Sequence, residues 1–231
     1  MYYYYESWPS LLLFVLGFII CMFAQIKISS TYSKYKKIKG SIEKTGEDVA
    51  NEILKRNGLD DIQVNCIAGN LTDHYSPSRK EINLSEDVYS RISIASLAVA
   101  AHECGHAIQK KENYAFYNMR TALIPVVSVI NYIGYVGLII SLFTGYFQYI
   151  EISLLVVLAT LVFQLITLPV EFDASRRGKA QLVEMGYLTK EEEVGVSKVL
   201  SAAAFTYVAG VISSLLQLMR ILLILGRRRR D

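Results

Sequence analysis

His102, Glu103, Cys104, Gly105 and His106 form the pattern H-E-x-x-H and use two of the chain's three histidines. On an α-helix a four-residue step is slightly more than one turn. Both imidazoles therefore project from one face and can bind a single metal ion, with Glu103 rotated towards the open coordination position. A zinc hydrolase needs this layout: zinc brings the pKa of its bound water to about 7, the glutamate accepts the proton, and the hydroxide attacks a carbonyl that the same ion polarises. Imidazoles without a ligand would be poorly solvated in so apolar a helix, which favours the metal reading further.

A catalytic zinc site takes three protein ligands and keeps a fourth position open. His74, the remaining histidine, lies about one strand and one loop before the motif, and geometry does not exclude it. Glu171 is the better candidate. It follows Pro169 at the end of an apolar run, where an ionisable residue marks a site unless its side chain merely snorkels to the interface. Peptide hydrolysis also needs a donor for the developing oxyanion, and His74, Tyr75, Tyr207, Arg176 and Arg177 are all chemically able. The sequence does not choose among them. Cys104 reads as a small buried helix residue, since a thiol facing the metal would compete with water.

The elements that must position these groups divide into apolar and soluble stretches. Hydrophobic residues make up 52% of the 231-residue chain and charged residues only 19%, too apolar for a soluble protein and too polar for a pure carrier. Residues 10–26 carry no charge and follow Trp8 and the Tyr2–Tyr5 run, as a transmembrane helix follows an interfacial aromatic belt. Residues 40–120 are soluble in composition. Thr45 can cap a helix carrying Val49, Ile53 and Leu54, with Gly58 ending it. Ile62–Ile67 and Lys80–Leu84 alternate like short strands, and Ser93–Lys110 reads as the helix bearing the motif. Residues 121–170 form a transmembrane hairpin turning near Gly145–Tyr149 and Glu151. Residues 171–198 carry the third ligand on cytosolic helices. Residues 199–225 form an apolar helix, introduced by a Thr189–Glu192 capping box, that packs on the domain, lies at the interface or spans; the first two are favoured, because spanning would leave Arg227–Arg230 outside.

The net charge of +3 is clustered beside the apolar runs, at Lys34–Lys39, Arg176–Lys179 and Arg227–Arg230, which suits juxtamembrane anchoring and not nucleic acid. Lysines after the first helix place the N-terminus outside and the soluble segment in the cytosol. Cys21, Cys66 and Cys104, at unrelated spacings, define neither a disulfide framework nor a cysteine metal cluster.

Three segments, Leu71-Thr72-Asp73-His74-Tyr75, Ala100 to Ala107 and Leu168 to Arg177, occur in this order and resemble the bacterial membrane zinc metallopeptidases of the YugP kind. The chain is similar, more distantly, to the HtpX and CAAX prenyl endopeptidases. The resemblance runs from about residue 10 to the C-terminus. It implies a glutamate-liganded zincin that holds one zinc ion on His102, His106 and Glu171, with Glu103 as base. In the more distant families an aspartate stands four residues after the third ligand. Here that position is Ser175, which can orient a ligand through a hydrogen bond but brings no charge. Asp173 as the ligand is the lesser alternative.

The expected fold is therefore a mostly α membrane protein: transmembrane helices plus a cytosolic α+β zincin-like metallopeptidase domain with a small sheet. The expected function is hydrolysis of peptide bonds at the cytosolic membrane face, acting on proteins or peptides, membrane-protein segments near the bilayer among them. The alternative is a non-catalytic metal-binding membrane scaffold or zinc carrier. Transport is disfavoured because residues 121–170 hold only one ionisable residue, Glu151.

Overall fold

The computed structural model describes residues 8–144 and 150–228. The Tyr2–Tyr5 belt, the Gly145–Tyr149 turn, and Arg229 and Arg230 lie outside the described residues.

The protein is mostly helical. In chain order the elements are α1 (Trp8–Tyr35), α2 (Gly46–Arg56), β1 (Gln63–Ile67), β2 (His74–Ser76), β3 (Glu81–Ser85), α3 (Glu86–Ser90), α4 (Ile94–Lys111), α5 (Ala115–Thr144), α6 (Ile150–Glu184) and α7 (Lys190–Arg228). Four helices, α1, α5, α6 and α7, are long and apolar enough to cross a membrane. The chain forms two compact units: Met1–Gln25, Met119–Leu168 and Thr206–Asp231 make the first, and Ile26–Asn118 and Pro169–Phe205 the second.

The first unit is built from the apolar halves of the four long helices. Phe14, Phe18, Phe23, Val129, Ile133, Leu155 and Val162 are each at least 50% exposed on its helices. Water would penalise so many uncovered apolar side chains, whereas hydrocarbon accepts them.

The second unit has a conventional core. Thr45 caps α2 with a reciprocal box to Asp48, satisfying two end groups at once. The apolar face of that helix, Val49, Ile53 and Leu54, is buried with Leu97, Ala101 and Cys104 of α4 and with Ile82 and Leu84 of β3. Ile82 and Leu84 are two residues apart and so share one face of the strand. The sheet is mixed and three-stranded, ordered β1-β3-β2, with β1 parallel and β2 antiparallel to the central strand.

Strand β2 has only three residues and is absent from the sequence reading, which finds the other two strands within a residue of their observed ends. The capping box at Thr189 and Glu192 is present at the start of α7, through Thr189 N–H to Glu192 Oε2 at 2.8 Å and Glu192 N–H to Thr189 Oγ1 at 3.2 Å. Helix α6 runs unbroken past Pro169 to Glu184, so the boundary drawn at residue 170 falls inside a helix.

Within this unit α4 lies antiparallel against the end of α6. Ala101 sits opposite Gly178, Gly105 opposite Ala174 and Gln109 opposite Val170. That alignment brings a carboxylate from α6 to the two imidazoles of α4.

Candidate metal centre

The residues His102 and His106 stand one turn apart on α4, and Glu171 faces them from α6. Their ligand atoms all lie within 4.8 Å of one another, the single such group of three among the described residues. Glu171 Oε2 is 3.3 Å from His102 Nε2 and 3.7 Å from His106 Nε2. Donors held about 2.0–2.1 Å from a tetrahedral ion stand about 3.4 Å apart, so this spacing suits a metal between them. The side chains are 15%, 9% and 3% exposed, in the order His102, His106, Glu171, leaving the group approachable from the His102 side.

The tautomer of the neutral His106 ring follows from its neighbours. Gln109 Nε2 donates to Val170 O at 2.8 Å and to Asp173 Oδ2 at 2.9 Å, which fixes which end of the amide carries oxygen. Gln109 Oε1, 3.0 Å from His106 Nδ1, can only accept, so Nδ1 bears the proton. In the neutral ring Nε2 then carries the lone pair, and it stands 3.7 Å from Glu171 Oε2, beyond hydrogen-bond length. Electron-rich atoms brought so close repel unless a proton or a metal cation sits among them. Two imidazoles and a carboxylate are a donor set that zinc accepts.

His102 Nδ1 is 3.1 Å from Ser175 Oγ, one turn beyond Glu171 on α6. A hydroxyl can donate or accept, so this contact orients the ring without dictating its tautomer. The two imidazoles meet edge to face, their centroids 4.8 Å apart.

Glu103 is 7% exposed and neighbours the group on α4. Burial pushes its carboxyl up to about 7, the charges of Glu171 and Asp73 adding to this while His102 and a hydrogen bond from the Tyr75 backbone N–H oppose it. A carboxyl poised near neutrality is suited to taking and returning a proton. The Tyr75 amide belongs to β2, an edge strand, and Asp73 just before that strand accepts from Ser85 N–H at 2.7 Å and from Ser85 Oγ.

The other residues singled out in the sequence are placed as follows. His74 donates from Nδ1 to Thr72 O at 2.8 Å, a local contact just before β2, and accepts at Nε2 from Asn83 Nδ2 at 3.3 Å, its partner in the pairing of β2 with β3. It is exposed and outside the three-residue group. Asp173 also stands outside that group, accepting from Gln109, Arg176 and Arg177. Arg177 bridges Asp173 and Glu112 and lies over the Tyr114 ring. Tyr207 is a partly exposed residue of α7 in the first unit. Cys104 is buried, with Sγ 3.6 Å from Ala50 O. Gln109, which the sequence reading passed over, joins a histidine to two groups of α6. Its position three residues after His106, on the same helix face, was the available signal.

Residues 10–226 match the family described as "Putative neutral zinc metallopeptidase". The chain is also 42% identical over 205 residues, 89% of its own length and 91% of the relative's, to a protein of Bacillus subtilis (strain 168) named "Putative membrane protease YugP". No solved structure matches the chain.

Proposed function

This chain belongs to the neutral zinc metallopeptidase family, and from that premise we propose that it is a membrane-bound zinc endopeptidase cleaving peptide bonds at the cytosolic face of the membrane. The observation that carries the reading is the convergence of His102 Nε2, His106 Nε2 and Glu171 Oε2, with Glu103 beside them.

In this reading one zinc ion is held by His102, His106 and Glu171. When bound, it supplies Lewis acidity, polarising the peptide carbonyl and acidifying water. Glu103 takes the proton of the attacking water on its carboxylate and returns it to the leaving amine. Gln109 and Ser175 hold the imidazoles in orientation from behind. The Tyr75 N–H donates to the Glu103 carboxylate and restrains it.

The cytosolic placement is supported by Lys27, Lys34, Lys36, Lys37 and Lys39 following the first apolar run. A site whose glutamate is carried on α6, a helix that continues into an apolar half, suits protein substrates reached near the bilayer, including loops of membrane proteins. The test is cleavage of an unfolded protein by the detergent-purified chain and by its Glu103→Gln variant, with zinc measured in both. The variant should retain zinc and lose about 10²–10⁴-fold in rate. Undiminished cleavage would remove Glu103 from the mechanism, and no cleavage by the zinc-loaded parent would leave a metal-binding scaffold.

A further inference from the structure

A cleft of about 750 Å³ opens in the second unit between the end of α1 and the start of α7. Lys27 and Lys34 of α1, Lys190 and Lys198 of α7 and Lys179 of α6 line it, together with one carboxylate, Glu193. The residues follow helical spacing: positions 27, 31 and 34 on α1, and 190, 194, 197 and 201 on α7, each fall on one face. Two separate helices thus turn lysine-bearing stripes into one concavity.

The charges there are not balanced. Glu193 is taken by Lys179 at 2.8 Å, and among the described residues no carboxylate pairs with Lys27, Lys34, Lys190 or Lys198. Lys27 lies over the Phe205 ring at 4.5 Å and Lys34 over the Tyr35 ring at 5.5 Å, contacts that hold an ammonium group without neutralising it. Ammonium groups gathered around a concavity repel one another, and an anion within it would relieve that repulsion.

The cleft lies at a defined level of both helices. Lys27 directly follows the charge-free run 10–26, and Lys198 directly precedes the charge-free run 199–219. Where two apolar helices begin to carry lysine, the surrounding medium changes from hydrocarbon to headgroups. We propose that this cleft binds the phosphate of an anionic phospholipid headgroup, with Thr31 and Ser201 as hydroxyl donors beside the lysines. The inference rests on the membrane residence of α1 and α7 and is independent of the hydrolytic reading.

The full chain in non-ionic detergent is titrated calorimetrically with dihexanoyl phosphatidylglycerol, dihexanoyl phosphatidylcholine and inorganic phosphate. Phosphatidylglycerol should bind saturably at one site, and the other two at least about tenfold more weakly. The Lys34→Gln, Lys190→Gln, Lys198→Gln triple variant should lose at least about tenfold in phosphatidylglycerol affinity. A Lys37→Gln, Lys55→Gln, Lys110→Gln variant, with the same loss of charge outside the cleft, should bind as the parent does. Zinc content and thermal unfolding report whether each variant is folded. Should the triple variant not fold, Lys198→Gln alone carries the test, with a loss of about fivefold. Parent-like binding by the cleft variant, or equal binding of phosphatidylcholine, overturns the proposal. Inorganic phosphate binding as tightly as the lipid overturns the lipid as its source.

Discussion

The carbonyl oxygen of Ala174 occupies the space a side chain on Gly105 would need: a Cβ built there would stand 2.3 Å from it. The relation is reciprocal one turn away, where a Cβ on Gly178 would stand 2.3 Å from the carbonyl oxygen of Ala101. Helices α4 and α6 thus touch backbone to backbone at two points, and this close approach lets the short Glu171 side chain reach both imidazoles. Gly105→Ala should push the helices apart and destabilise the protein by about 1–3 kcal/mol. It should also weaken zinc binding more than Cys104→Ala does, although Cys104 is the equally buried neighbour. Zinc titration and thermal unfolding of the two variants check this; equal zinc affinity would show that the crossing does not set the site.

Gln109 is predicted to be a positioning residue. Its amide is locked by Val170 O and Asp173, so its oxygen presents one fixed acceptor to His106 Nδ1–H. Gln109→Met keeps the volume and removes the acceptor. Zinc affinity should fall about 10–100-fold, with the catalytic rate recovering at saturating zinc. A rate that stays low when the site is full would mean that Gln109 acts otherwise than through His106.

Ser175 offers a graded test. Ser175→Ala deletes the contact to His102 Nδ1 and should weaken zinc binding by up to about tenfold. Ser175→Asp would place a carboxylate against the same nitrogen, hold its proton there and make Nε2 more basic, so zinc should bind more tightly than in the parent. Tightening by Ala, or weakening by both, would contradict the orienting role.

What the sequence showed and what it hid have separate physical causes. Helix α4 and the shared face of its two imidazoles were legible because imidazole spacing and helical pitch are local properties. So were the cap at Thr45 and the capping box at Thr189, each closed within four residues. Strand β2 was hidden because its three residues carry little alternation and owe their extended form to pairing with β3. The parallel pairing of β1 with β3 is likewise a tertiary fact. The meeting of α4 with α6 left a faint trace: Ala101 with Gly105, and Ala174 with Gly178, repeat a small residue at four-residue spacing on each helix. The unbroken course of α6 was obscured by Pro169, which commonly marks an end but here is carried inside a long helix.

The buried Glu103 carboxyl predicts a pH dependence in the metal-free protein. Burial holds it at about 7 in the folded chain against an ordinary value of 4.5, and burial raises Asp73 in the same direction. Between those values the unfolded chain has already lost the Glu103 proton while the folded chain keeps it, so unfolding releases protons. The contribution of Glu103 to stability is then fully present below about pH 4.5 and is lost as the pH rises towards 7, levelling off above. After removal of metal with a chelator, denaturant midpoints measured from pH 5 to pH 8 should decline across this window by the equivalent of a few kcal/mol at most. Glu103→Gln, which cannot ionise, should flatten most of the decline and leave the smaller part due to Asp73. A slope of the same size in the variant would show that Glu103 is not the group titrating.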